Sequence, residues 1–354
     1  MQYPMHGANP AALYKGLNIE MPAEIVDVSE NVNSFGLPAA VKARWSYLLK
    51  SVGFYPNEEA EPFVEKVAAH HGVQKEFIVA SNGAAEALLV LAQQFQWGRV
   101  VLLEPSFSEY RRTLALYQCE IRSVLATDIL KGTFDETLMQ EALEGARALY
   151  ICNPNNPTGV LQKKAWIESL LVKFPTVTIV VDEAFIDWTD EAESVISLVP
   201  KYERLIVLRS MTKMYSLAGI RLGYVVSQQS TKLRPFFPHW HVSQLAIEMG
   251  ILCLDEKQFV EDSRFAVDHL RGEMQAFFQE IGCEVSHSMA NFFIFRLPAH
   301  LDADAFLIAM LKQGIVLRHT KNYSGLGDWF RIAVKNEAVW LRCKEAVLQY
   351  VQNH

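Results

Sequence analysis

Short, continuous apolar runs alternate along most of this chain with segments whose apolar residues recur at helical spacing. The runs Phe77–Ala80, Val100–Leu103, Glu120–Val124, Ala148–Cys152, Val177–Val181 and Leu205–Leu208 each predict a strand, and most lack the polar alternation of a half-exposed sheet. Between several of them, Ala85–Phe95, Phe107–Tyr117 and Lys163–Lys173 show helical periodicity. This βαβ rhythm predicts a mostly parallel sheet covered by helices on both faces. In such sheets, ligands bind beyond the carboxyl ends of the strands.

The pattern differs at the two ends. Residues 1–45 begin irregularly, punctuated by Gly7, Pro10, Gly16 and Pro22, before a short strand at Ile25–Val28. A helix is expected over Pro38–Leu49, broken by Gly53 and Pro56. Beyond Tyr224, one long helical stretch is expected over Ser243–Phe278. Strands at Ala290–Arg296, Ile315–Arg318 and Phe330–Val334 then alternate with helices at Ala303–Gln313 and Glu337–Val351. The expected organisation is a segment 1–50 joining a small α+β domain at 251–354, with a large α/β domain over 51–250.

A length of 354 residues, half of them hydrophobic, supplies ample core without disulfides. The formal charge of −7 and pI near 5.8 argue against nucleic-acid binding. An anionic ligand must therefore be caught by local arginines. The five cysteines are scattered without metal-ligand spacing and read as reduced, mostly buried thiols; no metal site is expected. The start of the chain lacks signal-peptide character, and no apolar run reaches 18 residues. A cytoplasmic protein without a membrane partner is expected.

Most candidate chemical residues fall just after strands. Ser210, Thr212, Lys213 and Arg221 place two hydroxyls, an amine and a guanidinium at short spacing, an inventory for holding a phosphate beside a lysine that can bond to an aldehyde. Ala84 and Ala85 follow Ser81-Asn82-Gly83 at a helix start, where backbone N–H groups attract anions. Phe107 could stack on a flat ring or simply open a helix. Asn156, in the loop Asn153–Gly159, offers a neutral amide donor. Asp182 ends a strand and needs a partner, either a protonated pyridine nitrogen or a helix N-terminus. Arg318 and Arg331 belong to the later strands, Arg331 between apolar residues, and each binds either an anionic ligand or a structural carboxylate.

Asn155–Gly159, Asp182–Phe185 and Ser210–Lys213 with Arg221–Tyr224, in this order, resemble the fold-type-I enzymes dependent on pyridoxal 5′-phosphate, the aspartate aminotransferase superfamily. The resemblance covers nearly the whole chain. It implies that Lys213 is the Schiff-base and catalytic lysine, that Asp182 faces the pyridine nitrogen and Asn156 the ring oxygen, and that Phe107 stacks on the ring. It further implies that Ala84, Ala85, Ser210, Thr212 and Arg221 form the phosphate cup. Tyr55 matches the tyrosine that reaches a neighbouring subunit's cofactor, which implies a homodimer. Phe185 departs from the pattern, because many relatives carry tyrosine there.

Within the superfamily, His6-Gly7, Ser29–Asn33 and Arg318 with Asn322–Leu326 and Arg331 are most similar to the threonine-phosphate decarboxylases of cobalamin biosynthesis, and next to the histidinol-phosphate aminotransferases. This implies a small phosphorylated amino acid as substrate, bound by His6, Gly7, Asn31, Asn156, Arg318 and Arg331. Ala8 and Glu30 depart from the decarboxylases, and Glu30 sets a negative charge beside an anionic substrate. The bond that breaks depends on which group stands perpendicular to the cofactor ring, so the same lysine and arginines permit loss of CO2 or transfer of the amine. A PLP-binding homologue without catalysis is the remaining alternative. No phosphate-binding signature of a nucleotide-binding α/β protein is present.

Overall fold

The computed structural model describes residues 4–354. In chain order its strands are β1 (Val26–Asp27), β2 (Ile78–Ser81), β3 (Arg99–Glu104), β4 (Glu120–Asp128), β5 (Thr133–Phe134), β6 (Ala148–Cys152), β7 (Thr178–Asp182), β8 (Leu205–Ser210), β9 (Gly223–Val226), β10 (Glu284–Val285), β11 (Phe292–Arg296), β12 (Ile315–Val316), β13 (Arg318–His319) and β14 (Trp329–Ala333). Eight form one sheet in the order β2-β9-β8-β7-β6-β3-β4-β5. Its interior is parallel, whereas β9 runs antiparallel to both neighbours and β5 runs antiparallel to β4 at the edge. Every residue of β6, β7 and β8 is buried, as a sheet covered on both faces requires.

A second sheet is fully antiparallel, in the order β10-β11-β14-β13. The N-terminal segment reaches this part of the molecule, since β1 pairs in parallel with β12. The expected strand Ile315–Arg318 is two strands: β12 pairs with β1, and the chain then crosses at Leu317 to pair β13 with β14.

Several expected elements differ in the structure. The irregular start contains a helix, Pro10–Leu17, because Asn9 caps it by accepting from the Ala12 N–H and proline is tolerated in a first turn. The Pro38–Leu49 helix is two, Ala39–Ala43 and Trp45–Ser51, separated at Arg44. The long stretch after Ser243 breaks into Gln244–Cys253 and Lys257–Glu280. The Ser243 hydroxyl caps the first of these. The second is amphipathic, burying Val267, Leu270, Met274, Phe277 and Phe278 along one stripe. Strand β9 was not anticipated, its four residues being a short signal beside the polar loop before it.

No helix among the described residues is long and apolar enough to cross a membrane. All five cysteines are free, and all but Cys119 are buried.

Candidate active site

A cavity of about 960 Å³, including its open mouth, lies at the carboxyl ends of β6, β7 and β8 and against the second sheet. Its walls bring together His6, Gly7, Asn31, Ala84, Ala85, Phe107, Asn156, Asp182, Ser210, Thr212, Lys213, Arg221, Arg318 and Arg331. Tyr55 alone among the expected site residues lies elsewhere. It is 83 % exposed and packs against Trp240, with ring centroids 5.2 Å apart.

One end of the cavity is built for a phosphate. The helix Ala84–Gln94 starts here with no side chain capping it, and the N–H groups of Ala84 and Ala85 have no acceptor among the described residues. Gly83 sits at φ +72°, and a Cβ there would run into the Arg221 guanidinium. Only glycine lets that arginine lie against the helix start. Arg221 forms no ion pair among the described residues and donates only to the Ala218 carbonyl, at 3.0 Å. The Ser210 and Thr212 hydroxyls stand 2.7 Å apart beside it. Free N–H groups, two hydroxyls and an unpaired guanidinium fit a phosphate dianion.

Lys213 follows in the β8–β9 connection. Asn33 holds this loop: its N–H donates to the Lys213 carbonyl at 3.1 Å and its Nδ2 to the Met214 carbonyl at 2.9 Å. Nζ itself has no hydrogen bond or ion pair among the described residues. Loss of hydration, and then the Arg331 charge, lower its pKa to about 8, against an opposing pull from Glu30. An amine so poised is a nucleophile near neutral pH.

Asp182 stands at the end of β7, buried. It accepts from the Tyr110 hydroxyl at 2.7 Å and from the Ala184 N–H at 3.0 Å. Burial raises its pKa, and those two donors and Lys213 hold it down. An acid so placed, with no cation bonded to it, fits a protonated ring nitrogen. Tyr110 was missed in the sequence. The available signal was its position three residues after Phe107, at helical spacing in Ser108–Leu116.

The far wall belongs to the second sheet. Arg331 Nη1 donates to Asn156 Oδ1 at 2.6 Å and Nη2 to the Ser29 carbonyl at 2.7 Å. Its Nε and the Asn31 Oδ1 are buried without hydrogen-bond partners among the described residues. Arg318 donates to the Met5 carbonyl and to Asn322 Oδ1, at 2.5 and 2.7 Å. Neither arginine meets a carboxylate, and burial lowers the pKa of both. His6 lies across the mouth, bonded to Glu109 at 2.9 Å and 5.9 Å from the Phe107 ring. Gly7 passes so close to the Ser29 carbonyl that a Cβ would not fit.

Glu30 lines the cavity as expected, but its charge does not stand alone. Lys335, overlooked in the sequence, forms an ion pair with it and also donates to the Val32 carbonyl at 3.0 Å.

The fold and this constellation define an enzyme that uses pyridoxal 5′-phosphate. The sequence matches aminotransferase class I and II over residues 23–342, and the chain belongs to that family. It is 29 % identical over 347 residues to threonine-phosphate decarboxylase of Salmonella typhimurium, covering 94 % of this chain and 93 % of that one. It is 28 % identical over 323 residues to histidinol-phosphate aminotransferase of Geobacillus thermodenitrificans, covering 88 % and 86 %. Among solved structures, histidinol-phosphate aminotransferase from Sinorhizobium meliloti in complex with pyridoxal-5′-phosphate superposes with a TM-score of 0.87 at 19 % identity, over 100 % of this chain and 96 % of that one.

Proposed function

We propose that this enzyme decarboxylates a small phosphorylated amino acid, L-threonine O-3-phosphate, to aminopropanol phosphate, the amino-alcohol of the cobalamin side chain. The observation that carries the reading is the placement of Arg318 and Arg331. They are direct partners across the β13–β14 pair, so their side chains leave the same face, both are buried, and neither is bonded to a carboxylate among the described residues. Like charges opposite one another destabilise a sheet unless an anion sits between them. A phosphate dianion gripped by both guanidiniums answers that repulsion, with His6 and Asn31 within reach of the same wall.

When bound, pyridoxal 5′-phosphate supplies the electron sink for the bond broken at the α-carbon. Ala84, Ala85, Ser210, Thr212 and Arg221 would hold its phosphate, Asp182 would keep its ring nitrogen protonated, Asn156 would donate to its ring oxygen and Phe107 would pack on the ring. Arg318 and Arg331 would both engage the substrate phosphate and so leave the substrate carboxylate without an anchor. The Lys213 Nζ would supply the proton that Cα takes up in place of the departing CO2.

Arg331 also touches Asn156, and this favours a second reading: an arginine bonded to that residue would hold the substrate carboxylate instead of the phosphate and direct the chemistry to amine transfer. Incubation with threonine phosphate separates the two. Release of CO2 with aminopropanol phosphate is expected; amine transfer from glutamate without CO2 would replace the first reading with the second. A homodimer is part of the proposal. Tyr55, Phe54, Val52 and Trp240 form an exposed apolar surface through which Tyr55 would reach the partner's cofactor phosphate. The division into a segment 1–50, a domain 51–250 and a domain 251–354 is proposed likewise, supported by the β1–β12 pairing.

A further inference from the structure

Asn156 Oδ1 has two donors. Arg331 Nη1 lies 2.6 Å away and the Tyr323 hydroxyl 3.3 Å away. A guanidinium can only donate, so the amide atom facing Arg331 is oxygen. Both lone pairs of that oxygen are then used, and Nδ2, which has no acceptor among the described residues, is turned into the cavity. The orientation of Asn156 is thus fixed from the second sheet.

Phe185, which lines the same cavity, offers no polar atom. Its ring packs edge-on against Phe292 at 4.8 Å and stands 5.8 Å from Lys213 Nζ. Asn156 Nδ2 is therefore the side-chain donor this wall offers to a ring oxygen beside Lys213. Tyr323 is itself well held. It is buried against Ile294, Leu326 and Trp329, its N–H donates to the Thr320 carbonyl at 2.8 Å, and the Arg318 guanidinium lies 5.5 Å from its ring centroid.

We propose that Tyr323 is a positioning residue: through Asn156 Oδ1 its hydroxyl locks and polarises the amide that donates to the cofactor's ring oxygen, and it links that amide to the Arg318 anion site. A donor to Oδ1 strengthens the donation made by Nδ2 of the same amide. Removing the hydroxyl weakens the bond to the ring oxygen, whose negative form is favoured by that bond. The inference rests on the placement of the ring oxygen beside Asn156 proposed above.

The test is the pH titration of the absorbance of the lysine-bound cofactor in holoenzyme variants. Tyr323→Phe keeps the ring and its packing, and its midpoint should rise by about half a unit, as expected for a weakened rather than lost hydrogen bond. Phe185→Tyr added to it restores a hydroxyl on this side of the ring and should bring the midpoint back. An unchanged midpoint in Tyr323→Phe overturns the role given to Tyr323, provided that Asn156→Ala shifts it; if Asn156→Ala is silent too, the ring-oxygen placement itself fails. Should Tyr323→Phe lose its cofactor, fluorotyrosine placed at position 323 decides: its more acidic hydroxyl donates more strongly to Asn156 Oδ1 and should lower the midpoint, and an unchanged midpoint overturns the role given to Tyr323.

Discussion

A lysine amine with its pKa lowered to about 8 has a consequence that can be timed. Only the neutral amine attacks the cofactor aldehyde, and at that pKa roughly a tenth of Lys213 is neutral at pH 7, half at pH 8 and nine-tenths at pH 9. Capture of pyridoxal 5′-phosphate by apoenzyme should therefore accelerate roughly fivefold from pH 7 to 8 and less than twofold from pH 8 to 9. An ordinary alkylamine gains roughly tenfold per unit over the whole span. Stopped-flow absorbance follows the reaction, and the same measurement on a simple alkylamine divides out the cofactor's own titration. The causes of the shift can be tested separately. Arg331 lowers the Lys213 pKa, so Arg331→Gln should move the plateau to higher pH; Glu30 raises it, so Glu30→Gln should move the plateau lower. A rate that climbs tenfold per unit through pH 9 would refute the argument.

Arg318→Ala should mainly raise KM for phosphorylated substrates; an equal effect on unphosphorylated analogues would show that Arg318 does not bind phosphate. Arg209 bonds buried Glu183 at 3.1 Å and Asp187 at 2.7 Å, so Arg209→Leu strands two carboxylates and should cost about 3–5 kcal/mol. Burial raises both carboxyl pKa values and Arg209 lowers them, so the loss should be greatest at pH 8 and shrink on acidification, when protonation removes the stranded charges; a pH-independent Tm difference would contradict this. Burial, and then Arg209, lower the His71 pKa from 6.5 to about 2, so its contribution is intact above pH 6.5 and lost as pH falls. At pH 5 that loss is about 2 kcal/mol. His71→Gln should then lose about 3 °C less in Tm than wild type between pH 7.5 and 5, by the usual entropy per residue.

The central strands were legible because parallel strands buried on both faces are written as unbroken apolar runs. Helix breaks at Arg44 and around Asp255 carry no glycine or proline, and tertiary packing alone reveals them. The site residues that stand beside strand ends could be read in order along the chain. Those that act through distant partners could not: Tyr110 meets Asp182 only because two strands and a helix converge, and Lys335 meets Glu30 across nearly the whole sequence. Glu30 shows the cost of reading a charge without its neighbour. As a lone carboxylate it argued against an anionic substrate; paired with Lys335 it does not.

The connection from β8 to β9 begins and ends on a fixed pairing, Ser210 opposite Gly223. Lys213 and Arg221 both lie within it. A one-residue insertion there has two outcomes. It can slip β9, which would turn Tyr224 away from its buried partner His71 and expose the other face. Otherwise it must be absorbed inside the loop, which moves the amine relative to the guanidinium. The length of this loop is thus as much a part of the enzyme's chemistry as its residues, and engineered insertions belong instead at an exposed turn such as Ala299-His300 after β11.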